Sequence, residues 1–160
     1  MCIRDRYWIR QDLRLHDNPA LIESVKNGPI IPIYILDDVN SDDHKIGQAG
    51  KVWLHQSLKE LDKEFQNKLI FAKGNPEEIL VKICQLESIK KIYWNRVYEP
   101  WVISRDKKIK TNLKKLEIKT YSFNSSLLWE PWDILKDDMT NYKVFTPYFR
   151  RGCLNSTEPR

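Results

Sequence analysis

The sequence lacks the features that mark membrane and secreted proteins. None of its apolar runs approaches the roughly 18 residues that a membrane-spanning helix requires. Residues 1–6 lack the apolar centre of a secretory signal. We therefore expect a cytoplasmic protein with no membrane partner.

Cysteine is scarce, with three in 160 residues and no C-x-x-C pair. A few widely separated cysteines are typical of reduced thiols in a cytosolic protein. The histidines are equally few, share no metal-ligand spacing with the cysteines, and show no serine or cysteine partner for a catalytic triad. The residues concerned are Cys2, Cys84, Cys153, His16, His44 and His55. We expect neither a metal site nor a triad.

Glycine-rich phosphate loops are also missing. The chain has five glycines, and no G-x-G-x-x-G or Walker loop follows any apolar run. This absence argues against a dinucleotide or a triphosphate held by a glycine-rich turn.

The net charge of +5 can indicate a nucleic-acid partner. Many lysines, however, fall on one predicted helix between apolar positions, which is typical of a solvated face over a buried stripe. The lysines are Lys107, Lys108, Lys110, Lys114 and Lys115, and the apolar positions are Ile109, Leu113 and Leu116. The charge therefore gives little support for DNA contact.

Short β-branched and aromatic runs alternate with helical patterns along the chain. Strands are predicted at residues 7–9, 30–36, 69–72, 91–95 and 118–123. Helices are predicted from Asn18-Pro19 to a stop at Asn27-Gly28-Pro29, over residues 51–66, from Asn75-Pro76, and from Glu99-Pro100 to residue 116. The alternation predicts an α/β fold, a Rossmann-like, doubly wound, five-stranded parallel sheet with helices on both faces.

Apolar spacing also predicts the buried faces of the first three helices. These faces are Leu21, Ile22 and Val25 in the first helix, Leu54, Leu58, Leu61 and Phe65 in the second, and Ile79, Ile83 and Leu86 in the third.

Two segments do not fit this pattern. Arg4-Asp5-Arg6 places charge directly before the first predicted strand. We therefore expect either a very short strand or, at residues 1–6, a terminus that is not the natural one. Residues 125–160 are irregular and rich in aromatics. We expect them to pack against something beyond the α/β domain of residues 7–124, unless they fold back on the edge of the sheet.

The stretch of residues 7–21 passes from a buried strand through a charged turn into a helix. The turn carries too much charge for a buried strand, so the chain must emerge there at the carboxyl end of the strand. Open α/β sheets bind their ligands at this edge. Alternatively, Arg10, Asp12, Arg14 and Asp17 form only an ion-pair network that fixes the turn.

Residues 8–21, W-I-R-Q-D-L-R-L-H-D-N-P-A-L, resemble the opening signature of the DNA photolyase/cryptochrome family. Three later segments resemble the same family in the same order. They are residues 95–100 followed by Arg105-Asp106, residues 127–131 (L-L-W-E-P) and residues 143–148 (K-V-F-T-P-Y). The resemblance covers about residues 7–150 and matches the N-terminal, antenna-chromophore domain of the family.

The resemblance implies that the chain is a fragment of a deoxyribodipyrimidine photolyase. In the family, FAD and the DNA lesion are bound by a later helical domain, where the reduced flavin gives an electron to a pyrimidine dimer flipped out of the duplex. Residues 125–160 would begin the linker to that missing FAD domain, and the fragment alone would be catalytically silent. The implied partners are the missing domain and, for the full-length protein, damaged DNA, and we expect a monomer.

The resemblance also implies an antenna chromophore, either a deazaflavin or methenyltetrahydrofolate. The deazaflavin mode of the family carries over to Arg10, Asp12, Leu36, Asp37 and Lys51, the last at a position that is often Arg. In the folate mode an Asn-Glu pair stands where this chain has Trp101 and Val102, which argues against that folate mode.

Asn95 and Glu99 complete the candidate cofactor-binding residues. Several candidates also have simpler interpretations: Asp37 and Asp38 as caps of a strand end, Asn95 as a local backbone partner, and Glu99 as a helix-start acid. Two other functions stay open at this stage, a cryptochrome photoreceptor and a free-standing nucleotide- or flavin-binding module.

Overall fold

The computed structural model describes residues 5–26, 28–41, 44–87 and 89–159. The predicted helix stop at Asn27 lies outside the described residues. The strands are β1 Asp5–Ile9, β2 Ile30–Leu36, β3 Ile70–Lys73, β4 Lys91–Asn95 and β5 Lys119–Phe123. The main helices are α1 Pro19–Lys26, α2 Gln48–Glu64, α3 Pro76–Glu87 and α4 Pro100–Lys115.

All five strands pair in parallel in the order β3-β2-β1-β4-β5. Successive side chains of β1 point to opposite faces of the sheet. Trp8 therefore joins the apolar cluster that contains Leu80 of α3 and Ile109 of α4, whereas Tyr7 joins the cluster that contains Ala20 of α1 and Leu58 of α2. Helices cover both faces, and the predicted five-stranded parallel α/β fold is confirmed.

The first strand is longer than the predicted Tyr7–Ile9, because Asp5 and Arg6 belong to β1 and are buried. Burial raises the pKa of Asp5, while Lys91 opposes this effect from 3.7 Å and the hydroxyl of Tyr93 donates a hydrogen bond to the carboxylate. A buried strand can hold this acid because polar groups of β4 reach it.

Two predicted helix faces need correction. In α1, Ile22 and Val25 are each 51% exposed, and the helix buries Ala20 and Ser24 instead. Ser24 tolerates burial because its hydroxyl donates to the carbonyl of Leu21 at 2.7 Å.

In α3, the predicted core residue Leu86 is 73% exposed, whereas Leu80 and Cys84 are buried. The face is therefore rotated by one position, with Ile79 and Ile83 packed against the core from its flank. In α4, Ile109 and Leu113 form the buried stripe, but Leu116 is 39% exposed because it follows the last helical residue.

The chain divides into two compact units, Met1–Ser125 and Ser126–Arg160. In the second unit, a short helix α5 at Phe145–Pro147 leads into a π-helical turn, Tyr148–Gly152, and a 3-10 turn, Cys153–Asn155. The indole N–H of Trp129 donates to the carbonyl of Thr157 at 2.9 Å.

Among the described residues, no helix is both long and apolar enough to cross a membrane. The same residues contain no cluster of histidine, cysteine and carboxylate side chains arranged to hold a metal ion.

Candidate functional site: an aromatic cleft at the carboxyl ends of the strands

A cleft of about 280 Å³ opens where β1 and β2 end, beside the first turns of α4. It lies next to the point where the strand order reverses, the place at which open α/β sheets bind ligands. Its walls are mainly aromatic and aliphatic, and polar groups are few. Its lining includes Trp8, Arg10, Leu36, Asp37, Ser41, His44, Trp53, Val97, Trp101, Val102 and Arg105.

A buried arginine, a partly buried arginine and two carboxylates form a charge network along this cleft. Arg10 binds Asp106 of α4 and donates to the carbonyl of Asn95 at 2.7 Å. Arg105 bridges two acids, at 2.8 Å from Asp37 and 3.0 Å from Asp106. Each guanidinium is held by more than one acceptor, so both cations have defined positions.

Burial and pairing shift the pKa values in this network. Burial lowers the pKa of Arg10, and the carboxylate of Asp106 opposes this shift. For Asp37, burial acts to raise the pKa, but the hydrogen bonds from Asn40 and Arg105 outweigh it and leave the pKa below its ordinary value. At neutral pH the network therefore holds charged groups of both signs.

The arginines also lie over the indole rings of the cleft. The guanidinium carbon of Arg10 is 4.9 Å from the ring centroid of Trp8. The guanidinium carbon of Arg105 is 5.3 Å from the centroid of Trp8 and 5.2 Å from that of Trp101. The imidazole of His44 is nearly parallel to Trp101, with centroids 6.2 Å apart. Flat aromatic surfaces and fixed cations thus meet in one cleft.

A buried hydrogen-bond network anchored on Asp12 supports the cleft. Its carboxylate accepts hydrogen bonds from the hydroxyl of Tyr7, the backbone N–H of Arg10, and the amides of Asn18 and Asn95. Asn18 also caps α1, as predicted, by accepting from the backbone N–H of Leu21 at 3.1 Å. The network fixes the turn that carries Arg10.

The structure brings together three of the seven predicted cofactor-binding residues. Arg10, Leu36 and Asp37 line the cleft. Asp12 and Asn95 lie together in the buried network, where they position Arg10.

The other two candidates lie apart from the cleft wall. Lys51 borders a different groove, of about 410 Å³, between α2 and the β2–β3 side of the sheet. Glu99 is exposed and accepts a hydrogen bond from the amide of Gln11 at 3.1 Å.

One of the simpler interpretations holds in part and another is wrong. Arg14 and Asp17 do pair within the turn, at 3.8 Å, but the carboxylate partner of Arg10, Asp106, lies on α4. Asn95 does not bond only local backbone, since its amide reaches Asp12 and its oxygen accepts from the backbone N–H of Ala20. Asp37 does accept the backbone N–H groups of Val39 and Asn40 after the strand, but it also pairs with Arg105.

Sequence reasoning did not assign Arg105, Asp106, Ser41 or His44 to the site. The available signal was Arg105-Asp106, which stands within a segment that resembles the family. No spacing rule linked either residue to Arg10 or Asp37.

The cleft fits a flat heteroaromatic molecule. Ligand pockets are typically about 300–1,000 Å³ and mostly apolar, with a few placed polar groups. At about 280 Å³ this cleft suits a ring system rather than a whole ligand with its tail. The hydroxyl of Ser41, a residue only 5% exposed, has no hydrogen-bond partner among the described residues and offers a group to which a ligand could bond.

Comparison with known proteins supports the resemblance seen in the sequence. The chain is 35% identical to the deoxyribodipyrimidine photo-lyase of Agrobacterium fabrum, over 95% of this chain and 32% of that protein. It is 29% identical to Cryptochrome-1 of Arabidopsis thaliana, over 92% of this chain and 22% of that protein. The crystal structure of a bacterial class III photolyase from Agrobacterium tumefaciens superposes with a TM-score of 0.88 at 33% identity, over 100% of this chain and 33% of that one.

The chain therefore spans a third or less of the length of these relatives. The family model described as DNA photolyase matches residues 6–160. Together with the parallel sheet and the match over the whole chain to a photolyase structure, this shows that the chain belongs to the DNA photolyase family, of which it carries the N-terminal α/β domain.

Proposed function

We propose that this chain is the antenna-chromophore domain of a light-driven deoxyribodipyrimidine photolyase. The observation that carries the proposal is the aromatic cleft at the ends of β1 and β2, with its fixed cations and the unbonded hydroxyl of Ser41. The chromophore would be a deazaflavin or methenyltetrahydrofolate, which supplies light absorption and transfer of excitation energy.

Within this proposal, the residues of the cleft bind and orient a planar ring. Trp101 and Val102 would contact its faces and edges, and Arg10, Leu36 and Asp37 would close the end of the cleft at the sheet. Asp12 and Asn95 would act through Arg10. Asp12 accepts the backbone N–H of Arg10, and the carbonyl of Asn95, at the end of β4, accepts its guanidinium. Lys51 and Glu99, which lie apart from the cleft wall, would contact the parts of the ligand that extend beyond the ring.

Whole-protein activity is part of the same proposal. FAD and damaged DNA would be bound by a helical domain that follows the region of residues 125–160, and this domain would carry out dimer repair. The similarity to a deoxyribodipyrimidine photo-lyase at 35% identity supports a repair enzyme. The similarity to Cryptochrome-1 at 29% identity supports a second candidate function, that of a blue-light photoreceptor.

Chromophore binding can be tested on the 160-residue chain with deazariboflavin and methenyltetrahydrofolate as separate probes. We expect saturable binding, followed by probe fluorescence anisotropy, for at least one probe. Val97→Trp would fill the cleft and abolish binding, while Val52→Trp, at a position that is 65% exposed on α2, would leave binding unchanged. Failure of both probes to bind would remove the antenna assignment.

The choice between repair and signalling requires the gene. The frame would be followed past the codon for Arg160, and the longer protein tested for light-dependent repair of dimer-containing DNA. Repair would support the photolyase assignment. A longer flavin-binding protein without repair would favour the cryptochrome assignment.

A further inference from the structure

Three tryptophans at and beneath the cleft share an unusual environment, with a cation over each ring. We call them, together with their cations, the cation–indole cluster. Its members are Trp8, Trp94, Trp101, Arg10, Arg105 and Lys110. The ammonium of Lys110 lies 5.6 Å from the centroid of Trp94, and the rings of Trp94 and Trp8 meet edge-on with centroids 5.5 Å apart. The cluster thus continues from the cleft wall into the core.

The indole N–H groups share a second property. In Trp8, Trp94 and Trp101 the Nε1 atom is buried and has no hydrogen-bond acceptor within the described part of the chain. Trp129, outside the cluster, has an acceptor, the carbonyl of Thr157. The cluster therefore combines a nearby cation with an N–H proton for which the described residues offer no acceptor.

Both properties oppose oxidation of the indole. When an excited molecule oxidises an indole, one electron leaves the indole π system for that molecule, and the indole is left as a radical cation. A fixed cation about 5 Å away repels that new positive charge. The carboxylates that pair with Arg10 and Arg105 reduce this repulsion, and the exclusion of water strengthens it. The radical cation normally releases its N–H proton to an acceptor, and for these three indoles no described residue is placed to accept it.

We propose that the cation–indole cluster protects an excited chromophore in the cleft from electron-transfer quenching by Trp8 and Trp101, the two members of the cluster whose indoles line the cleft. This inference rests on the proposed antenna function, because an antenna must hold its excitation until it can pass the energy on. Arg105 contributes most to the protection of the indoles in the cleft wall, since its guanidinium lies over both Trp8 and Trp101. Asp37 and Asp106 bind the N–H groups of Arg105 and fix it over the two rings.

The first test uses the chain without any bound chromophore, with riboflavin in solution as photo-oxidant and peptide mass spectrometry to count oxidised tryptophans. Arg105→Gln removes the charge and keeps a polar side chain, whereas Arg105→Lys keeps the charge. In Arg105→Gln we expect Trp8 and Trp101 to be oxidised at least about threefold faster than in the parent chain. In Arg105→Lys we expect the oxidation rate to stay close to that of the parent chain. Acrylamide quenching of tryptophan fluorescence, which is limited mainly by the access of this small neutral quencher to the rings, should not differ between the two variants.

A second variant keeps the test valid if Arg105→Gln does not fold. Lys110→Gln changes a half-buried position on α4 and should accelerate oxidation of Trp94, while Lys108→Gln, at an exposed position of the same helix, should not. Equal oxidation rates in the parent, Arg105→Gln and Lys110→Gln chains would overturn the inference. Faster oxidation in Arg105→Lys, equal to that in Arg105→Gln, would assign the effect to packing and overturn it as well.

The second test uses bound deazariboflavin and its fluorescence lifetime. We expect at least about a twofold shorter lifetime in Arg105→Gln than in the parent chain, and rescue by Arg105→Lys. An unchanged lifetime with intact binding would overturn the inference and leave the proposed antenna function standing. Absence of binding to the parent chain would instead defeat the proposed function, while the oxidation test would still decide whether the indoles are protected.

Discussion

Asn95 shows at the scale of a single residue how the site is held. The last residue of β4 sends its amide into the turn after β1, where it meets Asp12 and Asn18, and its carbonyl oxygen receives Arg10. Buried polar groups are costly unless all of them are bonded, so these side chains depend on one another.

We predict that Asn95→Ala lowers the free energy of unfolding by about 2–4 kcal/mol, because it leaves part of the Asp12 carboxylate and the Ala20 N–H unbonded in the interior. Urea denaturation followed by circular dichroism would measure the loss. Asn112→Ala, which removes a bond to Glu77 at a partly exposed position, should cost less than about 1 kcal/mol. Equal losses for the two variants would contradict the role assigned to the network.

Asp37 should make stability depend on pH. Its pKa is lowered in the folded state, so its contribution is present above the unfolded pKa of about 3.9 and is lost as the pH falls through the folded value. We predict that Asp37→Asn costs about 1–3 kcal/mol at pH 7 and that the difference from the parent chain shrinks below about pH 4.

Asp38→Asn is the matched control for this measurement, because Asp38 pairs with Lys73 where both side chains are largely solvated, 40% and 68% exposed. Its effect at neutral pH should be less than about 1 kcal/mol. A difference between the Asp37→Asn and parent chains that stays constant from pH 7 to about pH 2 would show that the carboxylate charge is not what stabilises the fold.

At the scale of elements, α3 shows where sequence periodicity is insufficient. Steps of three and four residues connect Ile79, Ile83 and Leu86, and they equally connect Leu80 and Cys84 with other apolar positions. Only the packing of α3 beside α4 over the sheet decides which face is buried, and it selects Leu80.

We therefore predict that Leu80→Ala lowers the free energy of unfolding by about 2–5 kcal/mol, since it opens a cavity at a fully buried position. Leu86→Ala removes the same atoms from a side chain that is 73% exposed and should change stability by less than about 0.5 kcal/mol. Thermal or urea unfolding of the two variants compares their stabilities directly. A larger loss of stability in Leu86→Ala than in Leu80→Ala would show that the face predicted from spacing is the buried one.

At the scale of the whole molecule, the α/β unit holds its own core. Both apolar clusters consist of residues from the first unit, with no member after Phe123 among the described residues. The chain spans 32% of the length of the photo-lyase of Agrobacterium fabrum.

We predict that a chain ending at Ser125 still unfolds in a single cooperative transition, because both clusters that flank the sheet remain complete. Circular dichroism and urea denaturation of the truncated and the 160-residue chains would test this. A truncated chain with helical signal but no cooperative transition would show that residues 126–160 are required for the packing of the sheet.

The sequence by itself determined the succession of strands and helices along the chain and the parallel sheet, and it led to the proposal that a ligand binds at the carboxyl ends of the strands. These follow from local apolar patterns, helix caps such as Asn18, and the handedness of crossovers, all of which act over short stretches of chain. The signature residues also identified the family, because their order along the chain can be recognised without knowledge of the structure.

The tertiary structure alone decided which residues form the cleft. Arg10 and Asp106 are 96 positions apart, and Arg105 and Asp37 are 68 apart. Such pairs depend on the register of neighbouring strands and on the rotation of α4 against the sheet, which no local pattern encodes. For the same reason Asp12 and Asn95 lie beneath the cleft and Lys51 borders another groove, although all three stand near strand or helix ends in the sequence.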